Sequence, residues 1–159
     1  MQKDTPDLIK AVWENNLPEV TSLLEKGGEA NVRDKSGTTS LHNAVINKNL
    51  EICNMLVHYG ADVNAADQAL LTPLHFAAQE YALDIAAFLI QNGAVLDAQN
   101  KFGNTPLWVA VFQSKGRGEM IQLLLRSGAD PYKENNSGIS PLKLAQTIAN
   151  FDIKRFFEE

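Results

Sequence analysis

Cysteine is almost missing from this chain: Cys53 is the single one among 159 residues, so no disulfide can form within it. That usage suits a reducing compartment, and the cytoplasm is the expected location. Cys53 itself reads as a small core residue, because a reactive thiol needs an exposed, electropositive setting. Basic residues are in the minority. Fourteen Lys and Arg stand against 19 Asp and Glu, a formal net charge of −5, with the acidic residues spread along the chain. Nucleic acid, whose phosphates demand a basic patch, is disfavoured as a ligand, whereas a basic protein partner is compatible with the charge. Long apolar runs are missing too, and nothing approaches the ~20 residues needed to cross a bilayer. Residues Met1-Gln2-Lys3-Asp4-Thr5-Pro6-Asp7 place charges and a proline where a signal peptide needs an apolar stretch.

Chemistry-bearing motifs are equally scarce. No cysteine–histidine group has metal-ligand spacing. Gly116-Arg117-Gly118 has glycines, but no strand precedes it and no Lys-Ser/Thr follows, which removes the phosphate-loop reading. Asp62, Asp97 and Asp130 read as turn residues recurring with the repeat described below, not as an acid–base pair. No Ser-His-Asp or Cys-His arrangement stands out. The expectation is therefore a protein without catalytic residues, metal or cofactor.

What is present is self-similarity. Thr72-Pro73-Leu74-His75-Phe76-Ala77-Ala78 is preceded by 33 residues by Thr39-Ser40-Leu41-His42-Asn43-Ala44-Val45, and followed by 33 by Thr105-Pro106-Leu107-Trp108-Val109-Ala110-Val111. Ser140-Pro141-Leu142-Lys143-Leu144-Ala145-Gln146 comes 35 later still. A second marker keeps step: Gly60-Ala61-Asp62, Gly93-Ala94-Val95 and Gly128-Ala129-Asp130 are spaced by 33 and then 35. Both markers thus place two extra residues between Val111 and Met120, around a basic, glycine-rich stretch Ser114-Lys115-Gly116-Arg117-Gly118 that reads as a mobile surface loop. Helix physics agrees with the markers. Thr before Pro can cap a first helix, and Leu74, Ala77 and Ala78 share a helical face. Ile52, Cys53, Leu56 and Val57 repeat the period in a second helix that ends at Gly60. Asp34-Lys35-Ser36-Gly37 and Asn100-Lys101-Phe102-Gly103 read as turns.

These residues resemble the ankyrin repeat, whose signature includes Thr-Pro-Leu-His-x-Ala near its start and Gly-Ala-Asp near its end. The resemblance runs from about Asp4 to Phe157 and implies an all-α solenoid of about five repeats, near 4–33, 34–66, 67–99, 100–134 and 135–159, each a helix pair with a β-turn finger. The array reads as complete, with polar Gln2, Lys3, Asp4 and Asp7 opening one cap and a last helix over Asp152-Ile153-Lys154-Arg155-Phe156-Phe157-Glu158-Glu159 forming the other. Departures are local: Ser40 replaces proline, Trp108 and Lys143 replace histidine, and Leu70 stands where Gly37, Gly103 and Gly138 mark the finger turn. The resemblance also implies a structural role for His42 and His75, bonding backbone between repeats. Trp108 is expected to pack between repeats in the same way, and His58 sits near the carbonyl end of a second helix, where a cation is welcome.

In this family partners lie in the concave groove formed by finger tips and the exposed side of the first helices. Two residues beyond the marker alanine, the register gives Trp13, Ile46, Gln79, Phe112 and Thr147; the next position gives Glu14, Asn47, Glu80, Gln113 and Ile148. Trp13, Ile46 and Phe112 are large and apolar at sites the stack does not need to fill, as expected of interface anchors. The fingers add Leu70, Leu71 and Phe102, with Tyr81 expected beside the two leucines. Glu14, Glu80, Lys35 and Lys101 form a candidate polar rim. The reading that follows is a protein-binding module, monomeric before it meets its partner. Its length and the run Ser140-Pro141-Leu142-Lys143-Leu144-Ala145 then Ile148-Ala149-Asn150-Phe151-Asp152 resemble short bacterial ankyrin proteins, some of which look like immunity proteins for toxins. That resemblance implies an inhibitor of a basic toxin or nuclease; the alternative is a scaffold, adaptor or effector that binds host or regulatory proteins.

Overall fold

The structure, a computed structural model, describes residues 7–148 and 150–158. The polar opening at Gln2, Lys3 and Asp4 lies outside the described residues, as do Ala149 and Glu159. The Ser and Thr residues that precede the first helices start them as their chemistry demands. Thr39, Thr105 and Ser140 accept from the backbone N–H three residues on, of His42, Trp108 and Lys143, at 3.5, 3.2 and 3.2 Å, and Pro73, Pro106 and Pro141 take first-turn positions whose N–H would have no helical partner.

The resulting helices are α1 (Asp7–Trp13), α2 (Leu17–Glu25), α3 (Ser40–Ile46), α4 (Leu50–His58), α5 (Pro73–Glu80), α6 (Leu83–Gln91), α7 (Pro106–Gln113), α8 (Glu119–Arg126) and α9 (Pro141–Thr147), followed by a 3-10 turn at Lys154–Phe157. The first helices α1, α3, α5, α7 and α9 pack successively side by side, and the second helices α2, α4, α6 and α8 form a row behind them. Buried Ala11, Ala44, Ala77, Ala110 and Ala145 let the first helices approach closely, while Leu24, Leu56, Leu89 and Leu124 fill the space behind. Among the described residues there is no strand, only an isolated bridge between Arg33 and Thr39. The all-α solenoid follows from burial that no single helix pair could complete alone.

Polar contacts fasten each pair to the next. The Thr39 N–H donates to His42 Nδ1 at 3.1 Å, which leaves the proton on Nε2 to donate to the Leu71 carbonyl at 3.1 Å. His75 repeats this with Thr72 N–H at 3.1 Å and the Asn104 carbonyl at 3.0 Å. The fingers join by one backbone bond each, Gln68 N–H to Ser36 O, Lys101 N–H to Ala69 O and Asn136 N–H to Phe102 O. The turns between first and second helices use a left-handed residue, at Asn15, Lys48, Tyr81 and Lys115.

A third fastening corrects the expectation for the aspartates. Asp62 and Asp130 do accept from their own turns, at Asn64 N–H and Tyr132 N–H. Asp97 sits instead in register with Asn31 and Asn64, which reach into the next unit. Asn31 donates to Gly60 O at 2.9 Å and accepts from Asp62 N–H; Asn64 donates to Gly93 O at 3.0 Å and accepts from Val95 N–H. Asp97 accepts from Asp130 N–H at 3.0 Å but as a carboxylate has no proton to donate onward. Asp97→Asn should supply the bond to the Gly128 carbonyl and stabilise by about 0.5–1.5 kcal/mol. Calorimetry should show a melting temperature raised by ~2–4 °C; an unchanged or lower value would refute the assignment.

The last second helix is shorter than expected. Of the helix expected over Asp152–Glu159, the described residues up to Glu158 form one 3-10 turn. The physical reason is composition: only Ile153 is fully buried there, Phe156 and Phe157 are half-buried, and Asp152, Lys154, Arg155 and Glu158 stay in water, which leaves no continuous apolar stripe for a longer helix.

Candidate functional site

The last turns of the first helices place the register residues differently from one another. Trp13 and Phe112 are each 62% exposed, and Gln79 and Thr147 are exposed. Ile46 is half-buried and so is part of the stack as well as of its surface. One residue on, Glu14 is exposed, whereas Glu80, Gln113 and Ile148 are half-buried. Asn47 corrects its expected role as a contact residue: its Nδ2 donates to Val12 O at 2.8 Å and Trp13 O at 3.3 Å, so the amide is engaged in satisfying the carbonyl end of α1. Gln79 Nε2 donates to Glu80 Oε1 at 3.3 Å.

On the finger edge Phe102 is 72% exposed and Leu70 is 47% exposed. Leu70 adopts φ +60 in the slot where Gly37, Gly103 and Gly138 have φ of 76, 76 and 69. A leucine there is strained, since its Cβ crowds the backbone that glycine leaves open. Leu71 is not a tip residue. It is half-buried, its N–H donates to Asp67 Oδ1 at 2.8 Å and its carbonyl accepts from His42, so it belongs to the fastening between units.

Tyr81 also departs from expectation. It lies at the far end of α5 from Leu70 and Leu71, about 12 Å away by helical rise, because the turn between the two helices of a pair and the finger occupy opposite ends of the first helix. Its partners belong to the inserted loop: the Arg117 guanidinium lies 3.8 Å from its ring centre. Burial pushes the Tyr81 hydroxyl above its ordinary pKa. The candidate rim is likewise divided. Lys35 and Lys101 are exposed on the finger edge, while Glu14 and Glu80 stand on the turn edge.

Two aromatic side chains on this face were not picked out as contact residues. Phe76, half-buried, meets the His42 ring edge-on at 5.5 Å. Trp108 is half-buried and stacks on Phe112, centroids 5.5 Å apart and planes within 15°. Its Nε1 is buried without a hydrogen-bond partner. Trp108 therefore packs in the stack and also widens the apolar surface that Phe112 presents. The signal for both was their register: each lies at, or next to, the histidine position of the first-helix marker, three or four residues before the exposed position.

The remaining chemical groups are committed to structure. His42 and His75 are held below the ordinary histidine pKa chiefly by burial. Cys53 is fully buried and its thiol is pushed up to about 12, again by burial, so it is no nucleophile at neutral pH. Among the described residues no three His, Cys, Asp or Glu side chains gather as metal ligands, and no helix is long and apolar enough to cross a membrane.

Comparison with known families agrees with this architecture. Residues 3–67 and 67–135 match the model for ankyrin repeats, a unit of three copies. No curated protein matches the chain. With the match covering most of its length, and with paired helices, interlocked fingers and buried signature histidines in place, the chain belongs to the ankyrin-repeat family, whose repeats are protein–protein interaction modules.

Proposed function

We propose that this protein binds a single partner protein in the groove of its ankyrin stack, acting by occlusion and not by catalysis. The observation that carries the reading is the set of large aromatics left in water on that face: Trp13 at 62%, Phe112 at 62% and Phe102 at 72% exposed. Side chains of this kind anchor interfaces when a partner covers them. The strained Leu70 supports the same reading, because glycine would suit the fold better there and an exposed leucine suits a partner. A net charge of −5 favours a basic partner. A small stack with one binding face that covers a basic toxin or nuclease would act as its inhibitor, in the manner of an immunity protein, within a reducing cytoplasm that suits the free Cys53.

Capture with the tagged protein from its source cells should return one basic protein in stoichiometric amount; recovery of several unrelated proteins would favour a scaffold instead. Leu70→Gly sharpens the test. Relief of left-handed strain, less the extra freedom glycine gives the unfolded chain, should stabilise by about 0.5–1 kcal/mol, while affinity for the captured partner falls. A variant that gained stability and bound equally well would remove Leu70 from the interface.

A further inference from the structure

We propose that the inserted loop and the segment from Phe151 to Phe157 form one clasp, at the unit where, among the described residues, a 3-10 turn stands in place of a second α-helix. The loop differs from every other turn between paired helices. Those turns are short and glycine-free, at Asn15-Asn16, Lys48-Asn49 and Tyr81-Ala82; this one runs from Ser114 to Gly118 and carries two glycines. It lies at the surface as expected, with Lys115 and Arg117 exposed, but side chains pack on its backbone. Ser114 and Gly118 are buried.

On one side the loop grips the preceding unit. Arg117 lies over the Tyr81 ring at 3.8 Å and its Nε donates to the Ser114 carbonyl at 3.2 Å. The Tyr81 hydroxyl donates to Glu119 Oε2 and accepts from Met120 N–H, both at 3.4 Å. On the other side it receives Phe151 and Phe156. A side chain on Gly116 would place its Cβ 2.7 Å from Phe151 Cδ1, and one on Gly118 would overlap the Phe156 ring. The 3-10 turn Lys154–Phe157 meanwhile packs on both α8 and α9.

The extra length and the glycines thus have one geometric purpose. They carry bare backbone out to where a fifth second helix would otherwise pack, and two aromatic rings lie directly on it. The two rings couple loop and segment, since opening either strips Phe151 and Phe156 from the backbone of Gly116 and Gly118.

Gly118 makes the idea testable because its φ is −107, so a side chain there meets no backbone strain. Gly118→Val should force Phe156 away and speed amide exchange over residues 141–158 by about ten- to a hundredfold, the penalty of overpacking one ring converted to an opening equilibrium. Residues 17–60 should be unchanged. Phe156→Ala should speed exchange at Arg117 and Glu119, and adding Gly118→Val to it should make matters no worse, because the ring that valine strikes is gone. Additive effects of the two changes, or loop amides indifferent to Phe156→Ala, would overturn the clasp. If Gly118→Val does not fold, the loop amides of Phe156→Ala decide alone.

Discussion

Between pH 7 and pH 5 this protein should lose stability steeply, and His42 and His75 should carry the loss. Both rings are buried, 0% and 1% exposed, and each accepts a backbone N–H at Nδ1 while donating from Nε2. A second proton must enter at Nδ1, where it would displace the Thr39 or Thr72 N–H and leave a charge in an apolar setting. The folded-state pKa values are therefore lowered, with desolvation as the main cause; the Leu71 and Asn104 carbonyls and then Asp67 oppose it, Arg33 adds to it at His42, and His42 adds to it at His75. In the unfolded chain each titrates near ~6.5. Below that pH the unfolded state binds protons the folded state refuses, so the stabilisation is fully present above the unfolded value and is lost as pH falls. Two such groups give a slope of up to about 2.7 kcal/mol per pH unit, until the folded rings themselves protonate. Melting curves at pH 7, 6 and 5 should show this, and His42→Gln with His75→Gln should flatten the dependence while lowering stability at pH 7. His75→Ala alone should cost about 3 kcal/mol at pH 7, from the cavity and from the orphaned Thr72 N–H and Asn104 carbonyl. A slope unaltered in the double variant would assign the acid sensitivity elsewhere.

Those histidines are legible as structural in the sequence, because they recur at the repeat period in a family signature. The solenoid was legible for the same reason: identical local chemistry at a fixed step can be satisfied only by identical units that stack. The exposure of the candidate contact residues was legible in part. Register located Trp13 and Phe112 correctly on the surface, since exposure there follows from helix geometry. It failed for Asn47 and Leu71, whose hydrogen bonds depend on what the neighbouring unit presents. It also failed for Tyr81, since adjacency in a list of exposed positions says nothing about which end of a helix each occupies. Asp97 looks like Asp62 and Asp130 because an aspartate suits a turn at two positions, but Val95 holds their register, Asp97 keeps step with Asn31 and Asn64, and its acceptance from Asp130 N–H agrees. The clasp was least legible. Gly116 and Gly118 suggest mobility in sequence, whereas in the fold they are the sites at which Phe151 and Phe156 touch backbone. Such contacts join residues more than thirty positions apart, at a place where the repeat itself breaks.

Serine at Trp13, Phe102 and Phe112 together should leave the melting temperature within ~1–2 °C of the parent, because exposed side chains far from buried networks contribute little to folding. Phe112 is the one to watch, since it covers Trp108, and some of that shift belongs to it. Binding should respond quite differently. Buried aromatic anchors are typically worth ~2 kcal/mol or more each, and truncations in one interface are not additive, so a loss of about a hundredfold or more in affinity for the captured partner is expected. Ile46→Ser provides the contrast: it is half-buried against the stack, so it should lower the melting temperature itself, and any loss of binding should follow stability. Fluorescence gives a second readout. The chain has two tryptophans, Trp13 exposed and Trp108 half-buried. Partner binding should blue-shift emission in the parent as Trp13 leaves water, and Trp13→Ser should abolish most of that shift even at partner concentrations that restore occupancy. A triple variant that binds as tightly as the parent would remove the groove aromatics from the interface. A variant that unfolds would show that these side chains hold the stack together, a role their exposure argues against.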